Sequence, residues 1–139
     1  MKKFLMTALI IVFASGNVFA SNISSYDKYG SKTGSYRTNG QITTSYDKNG
    51  SKTGSYRTKG DTSTSYDKYG RKTGSYKTSG NTTTQYDKYG SKVSTYRTNS
   101  NGITNSYDKY GRKTGSFKTD SSGRTVEYDK YGRKIGSYK

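Results

Sequence analysis

An aromatic residue returns every ten positions along most of this chain: Tyr26, Tyr36, Tyr46, Tyr56, Tyr66, Tyr76, Tyr86 and Tyr96. After two single-residue insertions the series continues at Tyr107, Phe117, Tyr128 and Tyr138. A chain written this way must fold as copies of one small unit that buries its surface against its neighbours. Alternate units differ, one reading YDKYG and the next Tyr-Arg/Lys-Thr followed by a Gly, so the true repeat is twenty residues, as in Ser65 to Thr84. The insertions fall within Asn99-Ser100-Asn101-Gly102 and Asp120-Ser121-Ser122-Gly123, where loops absorb them.

The unit reads as a β-hairpin. Tyr and Thr favour strands, and Asp27-Lys28-Tyr29-Gly30 has an Asp to open a type I turn and a Gly for the left-handed position of a G1 bulge. Asp27, Asp47, Asp67, Asp87, Asp108 and Asp129 are turn openers on this reading. Gly30, Gly50, Gly70, Gly90, Gly111 and Gly132 close those turns, and Gly40, Gly60, Gly80, Gly102 and Gly123 close the alternate ones. With the same three-residue loop at both kinds of turn, Tyr26 neighbours Lys32 and Tyr36 neighbours Ile42. Every periodic aromatic then emerges from one side of the sheet. Gly34, Gly54 and Gly74 are expected to leave room for the rings to lean inward. Thr98 and Thr119 are expected to close four-residue loops, with Tyr96 opposite Asn105. The predicted fold is all-β: an antiparallel meander of short repeated hairpins forming a twisted or coiled single-layer ribbon or solenoid, about 55 Å long for twelve strands.

YDKYGRK at Tyr66 to Lys72 and at Tyr107 to Lys113, together with DSSGRTVEYDKYGRKIGSY at Asp120 to Tyr138, resembles the YD repeat of RHS-type proteins. The resemblance implies β-hairpins that wind into a spiral shell, often around a toxin domain. This chain would be a short secreted member without one. It departs from the family pattern in carrying Ser in place of Arg at Ser31, Ser51 and Ser91.

Residues 1–20 carry the marks of a Sec-type signal: Lys2 and Lys3, an apolar run from Phe4 to Ala14, and Val18-Phe19-Ala20 before the expected cut. Residues 21–139 are then a tandem-repeat β domain of about six repeats, placed in the periplasm, at the cell surface or outside the cell. The apolar run is too short and too soon broken to cross a membrane, so no transmembrane segment is expected beyond the signal.

Without Lys2 and Lys3 the formal charge falls from +16 to +14, a field that favours anionic polymers. Nucleophilic and metal chemistry lack their usual side chains, there being no His and no Cys. The Asp residues are accounted for as turn openers, so neither an enzyme nor a cofactor or metal site is expected.

The expected ligand face comprises the periodic aromatics Tyr26, Tyr36, Tyr46, Tyr56, Tyr66, Tyr76, Tyr86, Tyr96, Tyr107, Phe117, Tyr128 and Tyr138. Between them stand Lys32, Lys52, Lys72, Lys92, Lys113 and Lys134. Stacked rings beside cations suit an anionic polysaccharide, lipopolysaccharide or another polyanion, held by many weak contacts. The alternatives are a self-assembling matrix or fibre protein that associates through open sheet edges or the Tyr face, and a stand-alone YD-repeat piece related to toxin-delivery shells.

Overall fold

The computed structural model describes residues 22–139; the expected signal, 1–20, lies outside them. Twelve antiparallel strands follow one another: β1 (Asn22–Asp27), β2 (Lys32–Asn39), β3 (Ile42–Asp47), β4 (Lys52–Lys59), β5 (Thr62–Asp67) and β6 (Lys72–Ser79). The second half repeats the plan with β7 (Thr82–Asp87), β8 (Lys92–Thr98), β9 (Ile103–Asp108), β10 (Lys113–Thr119), β11 (Thr125–Asp129) and β12 (Lys134–Tyr138). Each strand pairs with its sequence neighbours, and β12 pairs with β1, so the meander closes into a barrel.

The all-β meander of hairpins is as the repeat predicts, but the ribbon or solenoid is not what forms. Its two ends meet through Ser25–Tyr138, Tyr26–Ser137 and Asp27–Gly136, and Ser24 and Lys139 exchange backbone hydrogen bonds beyond them. Closure removes the free terminal edges that were expected to recruit a second chain. It depends on a contact between residues more than a hundred positions apart, which no local pattern encodes.

Two kinds of turn alternate. At the six Asp turns the expected three-residue loop with a G1 bulge is present. Asp27 N–H donates to Ser31 O at 2.9 Å and Gly30 N–H to Asp27 O at 3.1 Å, with Gly30 at φ +87°. The Asp27 carboxylate clamps its own loop by accepting from the N–H groups of Tyr29 and Ser31, each at 2.9 Å. At the opposite end the loops differ from expectation. Asn39 pairs directly with Ile42, leaving a two-residue turn of Gly40 and Gln41, and the pairs Lys59–Thr62 and Ser79–Thr82 repeat this. Where a residue is inserted, Asn99 and Asp120 rebuild the Asp-type loop, and Tyr96 faces Ser106 while Asn105 faces Arg97.

A second departure sits just after each Asp turn. Tyr26 pairs with Lys32 as predicted, yet the next pair is Ser25 with Gly34, so Thr33 is the extra residue of a β-bulge. The same shift recurs beside Tyr46, Tyr66, Tyr86, Tyr107 and Tyr128. Every ten-residue step therefore contains one change of phase, either a bulge or a two-residue turn. Successive periodic aromatics consequently point to opposite sides of the sheet. Tyr36, Tyr56, Tyr76, Tyr96, Phe117 and Tyr138 turn into the barrel and are only 2–6% exposed. Tyr26, Tyr46, Tyr66, Tyr86, Tyr107 and Tyr128 turn outward and are half-buried.

The inward set is the core. A barrel of eight strands is filled by ordinary side chains, and twelve strands enclose a wider lumen, so one large ring from every second strand fills the middle. Between the rings the interior carries small polar residues whose hydroxyls pair across strands. Thr38–Thr43, Thr78–Thr83, Thr98–Thr104 and Thr119–Thr125 are separated by 2.7–2.9 Å.

The strand glycines do not make room for rings. A Cβ on Gly74 would lie 2.5 Å from the Tyr86 carbonyl oxygen of the next strand, and Gly34, Gly54 and Gly115 stand in the same relation to Tyr46, Tyr66 and Tyr128. They permit close approach of two backbones at the bulge. In β8 the corresponding place holds Ser94, whose hydroxyl reaches Gln85 Oε1 and Tyr96 Oη at 2.7 and 2.9 Å. Substituting Gly74→Ala should cost about 1–3 kcal/mol in chemical denaturation, because a backbone carbonyl cannot move aside as a side chain can. An unchanged denaturation midpoint would refute the close packing of β6 on β7.

Candidate functional site

Three regions carry side chains that the fold does not use up in turns: the outer wall, the rim of Asp turns, and the lumen.

On the wall, the half-buried Tyr26, Tyr46, Tyr66, Tyr86, Tyr107 and Tyr128 each oppose an exposed Lys on the next strand: Lys32, Lys52, Lys72, Lys92, Lys113 and Lys134. The even strands add exposed Arg37, Arg57, Lys77, Arg97 and Lys118 near their middles. The Arg37 guanidinium lies over the Tyr46 ring at 5.9 Å, and Arg97 over Tyr107 at 5.7 Å.

Among the described residues no acidic side chain shares this wall. Seven of the nine acidic residues, Asp27, Asp47, Asp67, Asp87, Asp108, Asp120 and Asp129, open turns. Asp61 sits in the turn before β5, and Glu127 is inside. The four ion pairs found among the described residues all join an Asp to the Arg four positions on within a turn, such as Arg71 Nε to Asp67 Oδ2 at 2.7 Å. Backbone N–H donation from Arg71, then its guanidinium and the Tyr69 N–H, hold the Asp67 carboxyl below its usual range, with matching causes at Asp108 and Asp129.

Of the expected ligand face, the six lysines and half of the aromatics therefore lie outside. Tyr36, Tyr56, Tyr76, Tyr96, Phe117 and Tyr138 are core residues and present no surface to a ligand on the wall. The physical reason is the phase change described above, which the sequence signals weakly through a glycine within a strand.

Among the described residues, the rim of Asp turns bears the most exposed aromatics. Tyr29, Tyr69, Tyr89, Tyr110 and Tyr131 are 70–82% exposed. Each ring has the preceding Lys over it at 4.7–4.9 Å. At Tyr69, Tyr110 and Tyr131 an Arg also packs at 5.2–5.3 Å. Sequence reasoning passed over these rings because it followed the ten-residue period, and they return only every twenty. Their signal was present in the second Tyr of YDKYG, at a turn position that needs no aromatic.

The lumen divides at the girdle of rings. On the Asp-turn side a cavity of about 410 Å³ is lined by Tyr76, Tyr96, Phe117, Gln85 and Glu127. On the other, about 600 Å³ is lined mainly by hydroxyls and amides, including Thr83, Thr98, Thr104, Asn81 and Asn99. Glu127 takes the place that Ser25, Ser45, Ser65 and Ser106 hold elsewhere, and Gln85 does the same in β7. The Tyr138 hydroxyl donates to Glu127 Oε2 at 2.9 Å, and that of Tyr96 to Gln85 Oε1 at 3.1 Å. Burial pushes the Glu127 carboxyl up from 4.5 to about 7, against the opposing pull of the Tyr138 hydrogen bond. Burial, and then the Glu127 charge, raise the Tyr138 phenol well above its ordinary value. No group of three or more His, Cys, Asp or Glu side chains gathers among the described residues in a way that could hold a metal ion.

No protein-family model matches this chain, and no curated protein matches it in sequence.

Glu127 gives a pH test. Between pH 4.5 and about 7 the folded chain holds a proton that the unfolded chain has released, so stability falls as pH rises through that window. The loss should approach about 3 kcal/mol above it. Glu127→Gln copies the Gln85 solution and should flatten the profile while raising the melting temperature at pH 8. Thermal melts from pH 4 to 9 decide it; equal pH dependence in both proteins would show that Glu127 is not buried in the lumen.

Proposed function

We propose that this is an exported, non-catalytic repeat barrel whose outer wall binds an anionic polymer, such as an acidic polysaccharide or lipopolysaccharide, through many weak contacts. One observation carries the reading. The wall holds eleven cationic side chains interleaved with six half-buried tyrosines, and no carboxylate among the described residues neutralises them. Fold stability does not call for that pattern. Exposed wall cations repel one another, and mixed charge would serve solubility equally well.

The arrangement suits a flexible polyanion. Lys and Arg supply charge, tyrosine faces offer stacking to sugar rings, and a closed belt lets a chain engage several sites at raised effective concentration. The same wall is unsuited to lipid. Its strands are five to eight residues long, whereas a membrane-crossing strand needs about 9–11, and Arg and Lys occupy outward positions near strand centres. Among the described residues no helix is long and apolar enough to cross a membrane. Export rests on residues 1–20, and kinship with YD-repeat proteins rests on the turn motif.

The test is retention of the exported chain on immobilised heparin across a salt series. Affinity should fall steeply as salt rises. Replacing Arg37, Arg57, Lys77 and Arg97 by Gln should weaken binding roughly tenfold or more and flatten the salt dependence. No retention of the parent chain at low ionic strength would sink the proposal.

A further inference from the structure

The geometry points to a second docking surface, distinct from the wall: the rim of Asp turns is built to seat on an anionic phospholipid surface. All six Asp turns lie at one end of the barrel, because each joins an odd strand to the following even one. The molecule itself shows that the exposed tyrosines are not there for folding. The turn at 47–51 has Asn49 in place of Tyr, yet Asp47 clamps Asn49 N–H and Ser51 N–H at 2.9 Å each and Gly50 keeps φ +84°. The loop forms equally well without the ring. Five of six turns nevertheless present a Tyr to solvent at 70–82% exposure.

What such a rim fits follows from its chemistry and shape. Five of the six tips combine an amphipathic ring with a Lys, the pairing that lodges at the headgroup level of a bilayer, where the ring meets the acyl boundary and the cation meets phosphate. The rim carboxylates do not oppose an anionic partner as free charges would, since each is occupied by its own loop N–H groups and three of the six turns pair theirs with Arg. A twelve-stranded barrel is about 24 Å across, with tips on every second strand about 12 Å apart around the ring. A flat surface meets all of them together, whereas a single extended polymer would have to bend around the circle. The loops are also held rigidly, so seating them orders little.

The experiment is vesicle co-sedimentation of the exported chain with phosphatidylglycerol/phosphatidylcholine and pure phosphatidylcholine vesicles. The parent is compared with a variant carrying Y29N, Y69N, Y89N, Y110N and Y131N, which copies the existing Asn49 turn, and with the wall variant described above. The proposal expects binding to the anionic vesicles, weak binding to the neutral ones, and a loss of at least about tenfold in the five-Asn variant. The wall variant should stay within about threefold of the parent, because its substitutions lie off the rim. Failure of the parent to bind anionic vesicles, or equal binding by the five-Asn variant, overturns it. If the five-Asn variant instead loses heparin binding and keeps vesicle binding, the rim is a glycan surface and the lipid assignment is wrong. Retention on heparin that is indifferent to the Asn changes leaves the wall reading standing whichever way the vesicles decide. Circular dichroism of the variant confirms that the barrel is intact.

Discussion

The phase of the side chains governs everything else in this molecule. Each ten-residue step contains one event that reverses the inward and outward faces: a bulge after the Asp turn, or a two-residue turn at the other end. Had both ends used the same odd loop without a bulge, all twelve periodic aromatics would share one side and the sheet would have no second set for its other face. Alternation gives the chain a core and a wall from one repeated residue type. Tyrosine suits both roles, because its ring is worth roughly 1.5–3 kcal/mol when buried and its hydroxyl tolerates water or a polar partner.

A chain with so few aliphatic residues in its repeats needs this device. Six inward rings from alternate strands span a lumen too wide for Ser and Thr alone, while the small residues of the intervening strands let them interleave. Where the repeat departs from itself the interior answers. Gln85 and Glu127 replace Ser in the same layer, and each accepts a hydrogen bond from a ring hydroxyl. The two insertions convert short turns into Asp-type loops headed by Asn99 and Asp120 without disturbing the alternation, since Phe117 and Tyr138 still point in.

Much of this was legible from the residues. The hairpin unit, the six Asp-headed turns with their left-handed glycines, the Tyr26–Lys32 pairing and the antiparallel meander all follow from short-range rules. Register at the alternate turns did not, because Asn39-Gly40-Gln41 is compatible with more than one loop length. The bulge had a visible marker in Gly34, Gly54 and Gly74, a glycine inside a strand, which signals close backbone approach as readily as room for a neighbour. Closure was out of reach, since the pairing of β1 with β12 is set by the accumulated twist and stagger of the whole sheet. Of the expected ligand face, the Lys series and every second aromatic face outward, and the other six aromatics form the core. Tyr29 and its equivalents were missed by following the shorter period.

The alternation and the closure are tested together by nitrating the tyrosines of the folded chain with tetranitromethane and mapping the products by mass spectrometry. The account predicts fast modification at Tyr29, Tyr69, Tyr89, Tyr110 and Tyr131, slower modification at Tyr26, Tyr46, Tyr66, Tyr86, Tyr107 and Tyr128, and protection of Tyr36, Tyr56, Tyr76, Tyr96 and Tyr138 until the chain is unfolded. Equal reactivity at Tyr36 and Tyr46, or at Tyr56 and Tyr66, would contradict it, for it would mean an open sheet with its rings on one accessible face.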